Sequence, residues 1–261
     1  MTRDAAPSTQ PLPIRPITLS SPWRWLSRGW DDFARCPGPG LIHGAAIAMF
    51  GAALFVLAYD RFWLLAGAFS GFLLLAPVLA TGLYAISRGL ERGERVDMRT
   101  ALRTWRPRDR RLVVFGVLLA AAGTGWVLTS AALITVFADA PVRNPRDFLH
   151  VVVLAPKSLL FEAWLVLGGA LAAPVFASSV VAIPLLLDRP VGIWRAVLTS
   201  WRAVVEHPLP LALWAAILMT MTAVAIAAGM VGLLVAVPWL AHASWHAYRD
   251  LVDTTSLPES A

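Results

Sequence analysis

Apolar residues run along this chain in long blocks, and the polar residues gather between them. A helix that crosses a bilayer needs about 20 mostly apolar residues. Six such helices are expected. They cover Leu41 to Tyr59, Phe62 to Ser87, Leu112 to Phe137 and Leu159 to Leu187, and two share the almost uncharged run from Leu209 to about Trp245. As one helix that last run would be roughly 55 Å long, too long for a single crossing of a ~30 Å core. It must fold back, and "AAGMVG", Ala227 to Gly232, is the expected turn.

Between the blocks, shorter stretches alternate on a helical period. In "SPWRWLSRGWDDFARCPGPGL", Trp23, Leu26, Trp30 and Phe33 share one helical face, and Arg24, Arg28, Asp31 and Arg35 share the other. Ser21 is expected to cap this helix, with Pro22 in its first position. "VGIWRAVLTSWRAVVEHPLPL" repeats the pattern with Trp194, Val197, Leu198, Trp201, Val204 and Val205. The two stretches align without gaps, Trp23 with Trp194, Trp30 with Trp201, Pro37 with Pro208 and Pro39 with Pro210. A shorter copy, "VDMRTALRTW", precedes the third span and places Met98, Arg99, Ala101 and Trp105 in the equivalent positions. The return spans repeat as well, because Pro77, Pro174 and Pro238 each stand six residues after a glycine, Gly71, Gly168 and Gly232.

The expected unit is thus a short amphipathic interfacial helix, a span and a return span. Three parallel units, about 21–90, 96–188 and 191–250, imply a pseudo-threefold axis along the membrane normal, by analogy with parallel-repeat transporters. The predicted fold class is an all-α membrane protein with a single six-span transmembrane domain over 21–250. The Pro-rich residues 1–20, which lack the apolar core of a signal peptide, and residues 251–261 are expected to be disordered tails.

Composition strengthens the membrane reading. The chain is 58% apolar and 15% charged, against roughly 25% charged for a soluble domain. Its mean hydropathy is +0.66. Many of the 12 tryptophans lie near block ends, as interfacial anchors do. The net charge of +6 sits in loops, so it reports topology rather than nucleic-acid binding. The two termini and every second loop hold 18 of the 22 Lys and Arg residues. The positive-inside rule therefore predicts cytoplasmic termini. A lone cysteine, Cys36, excludes an internal disulfide.

"SRGWDDFARCPGPGL", "GLYAISRGLERGE", "SVVAIPLLLDRPVGIWRAVLTSWRAV" and "HASWHAYRDLV" together resemble the bacterial Domain of Unknown Function 2189 family of predicted integral membrane proteins. The resemblance runs from about Trp23 to Val252. It implies a polytopic inner-membrane protein and carries over no catalytic or ligand residue.

The candidate chemistry is sparse. His43, His207, His242 and His246 are expected near one level, at the inner interface, as capping groups in contact with water. A metal would need three or four converging ligands, and no carboxylate accompanies these histidines at metalloenzyme spacing. No catalytic residue, cofactor or metal is expected. Glu162, just inside the fourth span, reads either as a snorkelling interfacial acid or as a relay residue. Pro77, Pro174 and Pro238 kink the return spans, either for close packing or to line a path bordered by Thr81, Ser178 and Ser179. In the loop before the fourth span, Asn144 is the expected cap and Pro145 the first residue of a further short helix.

The function expected is that of a non-enzymatic structural or regulatory component of the membrane. The alternative is a small transporter or channel between the kinked return helices. The expected partners are anionic headgroups at the basic amphipathic helices and a possible second membrane protein, with no nucleic acid.

Overall fold

The computed structural model describes residues 10–63, 65–67, 80–104, 110–155 and 158–258. Among these residues the regular structure is helical, with one isolated antiparallel pairing, Ile14 with Val252. In chain order the helices are α1 (Ser21–Arg35), α2 (Pro37–Leu57), α3 (Thr81–Glu91), α4 (Met98–Thr104), α5 (Arg110–Phe137), α6 (Pro145–Phe148), α7 (Leu160–Ser179), α8 (Ala182–Asp188), α9 (Ile193–Glu206), α10 (Pro208–Ala227) and α11 (Leu233–Leu251).

Four helical segments among the described residues are long and apolar enough to cross a membrane: α2, α5, α7 with α8, and α10. Side chains such as Val56, Leu57, Val117, Val136, Val166 and Met219 stand well exposed on them. So much apolar surface suits a lipid surround rather than water. The second expected span falls largely on residues 64 and 68–79, outside the described residues. The last apolar run does fold back. α10 ends at Ala227, and Gly229 and Met230 turn with φ of +70° and +68°. A Cβ on Gly232 would stand 2.7 Å from Ala225 Cα, so a glycine is needed to close the turn. α11 follows, but its second half carries Arg249 and Asp250 and is buried in protein.

The chain forms two compact units. The first comprises Met1–Ala48, Pro77–Phe115 and Phe176–Ala261. Its core forms where α3, α8 and α11 meet, with Leu83 and Ile86, Val181 to Ile183, and Ala243, Trp245 and Tyr248 buried. A helix lies across each of the three. α1 crosses α11 at Gly29, where an added Cβ would stand 2.5 Å from Ala243 N. α4 crosses α3 at Gly82, where an added Cβ would stand 3.2 Å from that of Ala101. α9 meets the turn before α8, where Val181 N–H donates to Ser200 Oγ at 3.1 Å. Small residues at these crossings let the backbones approach.

The amphipathic faces divide more finely than the sequence suggests. The inner seam of α1 is Trp25, Leu26, Gly29, Asp32 and Phe33, and that of α9 is Ala196, Thr199, Ser200 and Ala203. Trp23, Trp30, Trp194, Trp201 and Val205 are exposed beside these seams. Ser21 is not the cap. It lies inside the first turn of α1, and its hydroxyl accepts Thr18 N–H. The return helix made of α7 and α8 breaks at Val180–Val181. Pro184 has no N–H to give the Val180 carbonyl four residues earlier, and its ring crowds that carbonyl. Arg88 and Arg111 donate to the carbonyls of Leu187 and Leu186 at the end of α8.

Part of the stretch expected to be a disordered tail is ordered. From Gln10 it lies along α9 and the end of α11. Leu12 N–H donates to Thr199 Oγ1, Arg15 N–H to Leu251 O and Asp253 N–H to Pro13 O. Leu12 is buried, and that apolar anchor offsets the entropy of fixing the segment.

The second unit comprises Met49–Ala76 and Gly116–Val175. Ile134, Val142, Val152 and Leu160 form its core, with Phe62, Trp63, Phe148, Phe161 and Trp164 packed around them. The expected short helix is present. Asn144 caps it in a capping box with Asp147, Pro145 comes first, and the chain continues through a wider turn over Leu149–Val153.

Candidate functional site

Ionisable and polar side chains converge inside the first unit. α11 places His242 and His246 on one face, four residues apart. Both are buried, which corrects the expectation of capping groups in contact with water. Each instead meets a partner from a distant element. His246 Nε2 lies 2.8 Å from Asp32 Oδ2 on α1, and its Nδ1 lies 3.6 Å from Glu91 Oε1 on α3. His242 Nδ1 lies 2.8 Å from Ser87 Oγ, also on α3.

The polarity of this network follows from its acid. Burial pulls the Asp32 pKa upward, but hydrogen bonds from His246 and Ser87, and the charges of His246 and His242, outweigh that and hold it below the usual aspartate value. As a carboxylate, Asp32 can only accept. It accepts His246 Nε2–H and the Ser87 hydroxyl proton. Ser87 Oγ then accepts His242 Nδ1–H, which leaves His242 Nε2 a bare acceptor that no protein group reaches. His43 is set the same way by its neighbour, since its Nδ1–H donates to Pro39 O at 2.7 Å.

A second cluster continues from the first. Arg249 bridges Glu91 at 3.2 Å and Asp188 at 3.7 Å. Asp188, almost fully buried, also pairs with Arg189 at 3.1 Å and accepts the Tyr248 hydroxyl at 2.7 Å. Burial, and then the adjacent Asp188 charge, push the Tyr248 pKa up, so it stays a neutral donor. Nearer the start of α1, Trp25 Nε1–H and Arg28 donate to Asp250 at 2.9 and 3.1 Å. Among the described residues of this cluster each buried charge is thus matched, and the matches tie α1, α3, α8 and α11 together.

The other candidates lie apart from this network. Glu162 is exposed in the first turn of α7, where the helix dipole favours a carboxylate. Pro174 lies within α7 and is exposed, whereas Pro238 is buried against Gly40. Pro77 lies outside the described residues. Thr81 is buried, and Ser178 Oγ accepts Trp201 Nε1–H at 2.9 Å. His207 Nε2 meets the Arg15 carbonyl at 3.1 Å. No group of His, Cys, Asp and Glu that could hold a metal is found among the described residues.

Sequence reasoning missed Asp32, Ser87, Glu91, Asp188 and Tyr248. One signal was available: Asp32 falls within the seam that Leu26, Gly29 and Phe33 define, and a charge in such a seam needs a buried partner. The chemistry that this arrangement offers is attachment and proton placement.

No curated protein and no solved structure matches the chain. Residues 64–188, which run through the return segment to Asp188, match the model of a family described as predicted integral membrane protein (DUF2189), the same family that the motifs of the sequence resemble.

Proposed function

We propose that this integral membrane protein is a non-enzymatic structural or regulatory component of the bacterial inner membrane. It crosses six times as three parallel repeats, with both termini in the cytoplasm. The observation that carries this reading is the cyclic order of the helix crossings. The second repeat's α4 rests on the first repeat's α3, the third repeat's α9 on the second repeat's α8, and the first repeat's α1 on the third repeat's α11. Gly82 and Ala243, where α4 and α1 cross, each stand five residues after the aligned prolines, Pro77 and Pro238. Three similar repeats around one axis would make such a ring.

The centre of that ring supports a scaffold rather than a path. Thr81, Ile86, Val181, Ile183 and Ala243 are fully buried there, and the ionic contacts around them are satisfied within the protein. The exposed Trp23, Trp30, Trp194 and Trp201 flank exposed Arg24, Arg28 and Arg202. That pattern fits helices lying in the membrane interface against anionic headgroups, and the cytoplasmic side so defined would carry the contacts to a second membrane protein.

Two measurements test this together. Fusions at either terminus should be active with a cytoplasmic reporter and inactive with a periplasmic one. Native-membrane purification should retain a stoichiometric protein partner. A periplasmic terminus would overturn the topology. A partner-free protein that catalyses solute uptake in proteoliposomes would overturn the scaffold reading.

A further inference from the structure

The second unit holds a feature that the scaffold reading does not use. Phe62, Trp63, Trp126, Phe148 and Trp164 surround a cavity of ≈ 60 Å³, completed by Ala66, Val127 and Ser130. No side chain in the lining carries a charge. The rings hold one another in place. Phe62 stacks on Phe148 at 5.2 Å between centroids, Phe148 meets Trp164 edge-on at 5.3 Å, and Trp126 tilts against Trp164 at 5.4 Å. Trp164 is further fixed because its Nε1–H donates to Ser130 Oγ at 2.6 Å. A set of rings so braced keeps its shape without a ligand, and little ordering remains for binding to oppose.

Size and chemistry narrow the occupant. A water-sized group takes about 10–15 Å³ measured in this way, so the cavity admits roughly four to six such groups. A trimethylammonium head is three methyls and a methylene around one nitrogen. A pocket for an acyl chain would be lined by Leu, Ile and Val, whereas Val127 is the one branched aliphatic residue in this lining among the described residues. Aromatic faces carry negative charge density, and several around one void are the arrangement that holds a cation too weakly hydrated to resist desolvation. Two of the lining rings stand at the polar ends of helices. Phe62 N–H donates to Arg143 O at 2.8 Å, and Phe148 closes the short helix that Asn144 and Asp147 cap.

We propose that this cavity is an aromatic cage for a methylated ammonium group, supplied by a choline headgroup or by a free solute such as choline. The test uses the full-length protein in a maltoside detergent and follows tryptophan fluorescence. Tetramethylammonium and choline should both give a saturable change. The neutral isostere of choline, 3,3-dimethylbutan-1-ol, should bind about 5- to 30-fold more weakly, the range that a cation–π contribution spans between exposed and desolvated sites. Equal affinity for choline and its isostere, or no saturable response to any of the three, would overturn the proposal. Trp126→Leu should weaken choline binding by about tenfold. Because that variant could lose its fold, the isostere comparison in the unaltered protein decides the matter alone. Nanodiscs then separate the two sources. If a lipid headgroup fills the cage, phosphatidylcholine discs abolish the response to free choline while phosphatidylglycerol discs retain it. If the ligand is a free solute, both discs respond alike.

Discussion

At the residue scale, the network around Asp32 makes a testable statement about pH. Asp32 is buried, yet its pKa is held below the aspartate value by the donors it accepts. A carboxyl whose folded pKa is depressed contributes stability that is complete above the unfolded value and is lost as pH falls through the folded one. Asp32→Asn should therefore lower stability at neutral pH by about 1.5–3 kcal/mol, the usual worth of hydrogen bonds to a charged group. Thermal unfolding in detergent between pH 8 and the acid limit checks both parts. The variant should melt lower at neutral pH, and the two curves should approach each other on acidification as the wild type alone loses this contribution. A constant gap across the whole range would mean that Asp32 acts through shape rather than charge.

At the element scale, the crossings of α1 over α11 and of α4 over α3 set which residues must stay small. A Cβ on Gly29 would press on the Ala243 backbone, which has no free side-chain end to move aside, while one on Gly125 of α5 meets nothing within 4 Å. Gly29→Ala should cost about 1–3 kcal/mol by overpacking. Gly125→Ala should be neutral or stabilise by up to roughly 1 kcal/mol, because alanine is the better helix former. Melting temperatures in one detergent give the order Gly125→Ala at or above wild type and Gly29→Ala below it; the reverse order would show that α1 does not lie close upon α11. The same contrast explains what the sequence could reveal. Four of the expected spans were legible because lipid offers backbone groups no partner, so composition alone marks them. The turn at Gly229–Met230 was legible from the length of the run. The inner seam of α1 was legible only in part, since the tryptophans Trp23 and Trp30 widen its apolar face beyond the residues that α11 covers. The network was not, because Asp32 and Ser87 stand 214 and 155 residues from their histidines.

At the scale of the whole molecule, the ring of three repeats that we propose would need its ends joined, since the chain links first to second and second to third but not third to first. α1 lying on α11 makes part of that joint, and the segment before α1 makes the rest. Leu12, Pro13 and Arg15 bond to Thr199, Asp253 and Leu251, and Arg195 donates to the Gln10 carbonyl at 2.8 Å. A proline-rich composition normally signals disorder. It misled here because a short extended segment needs no periodicity of its own when α9 and α11 supply its hydrogen-bond partners and Leu12 finds a buried seat. If this strap closes the ring, Leu12→Ala should destabilise the protein by about 2 kcal/mol, the lower end for burying leucine, because the site lies close to the surface. The loss should also spread to the other end of the chain. Val252 pairs with Ile14, so limited proteolysis should cut the stretch after Val252 faster in the variant than in the wild type. A lower melting temperature without faster cleavage there would make Leu12 a local anchor. Both changes together would identify the strap as the element that couples the first repeat to the third.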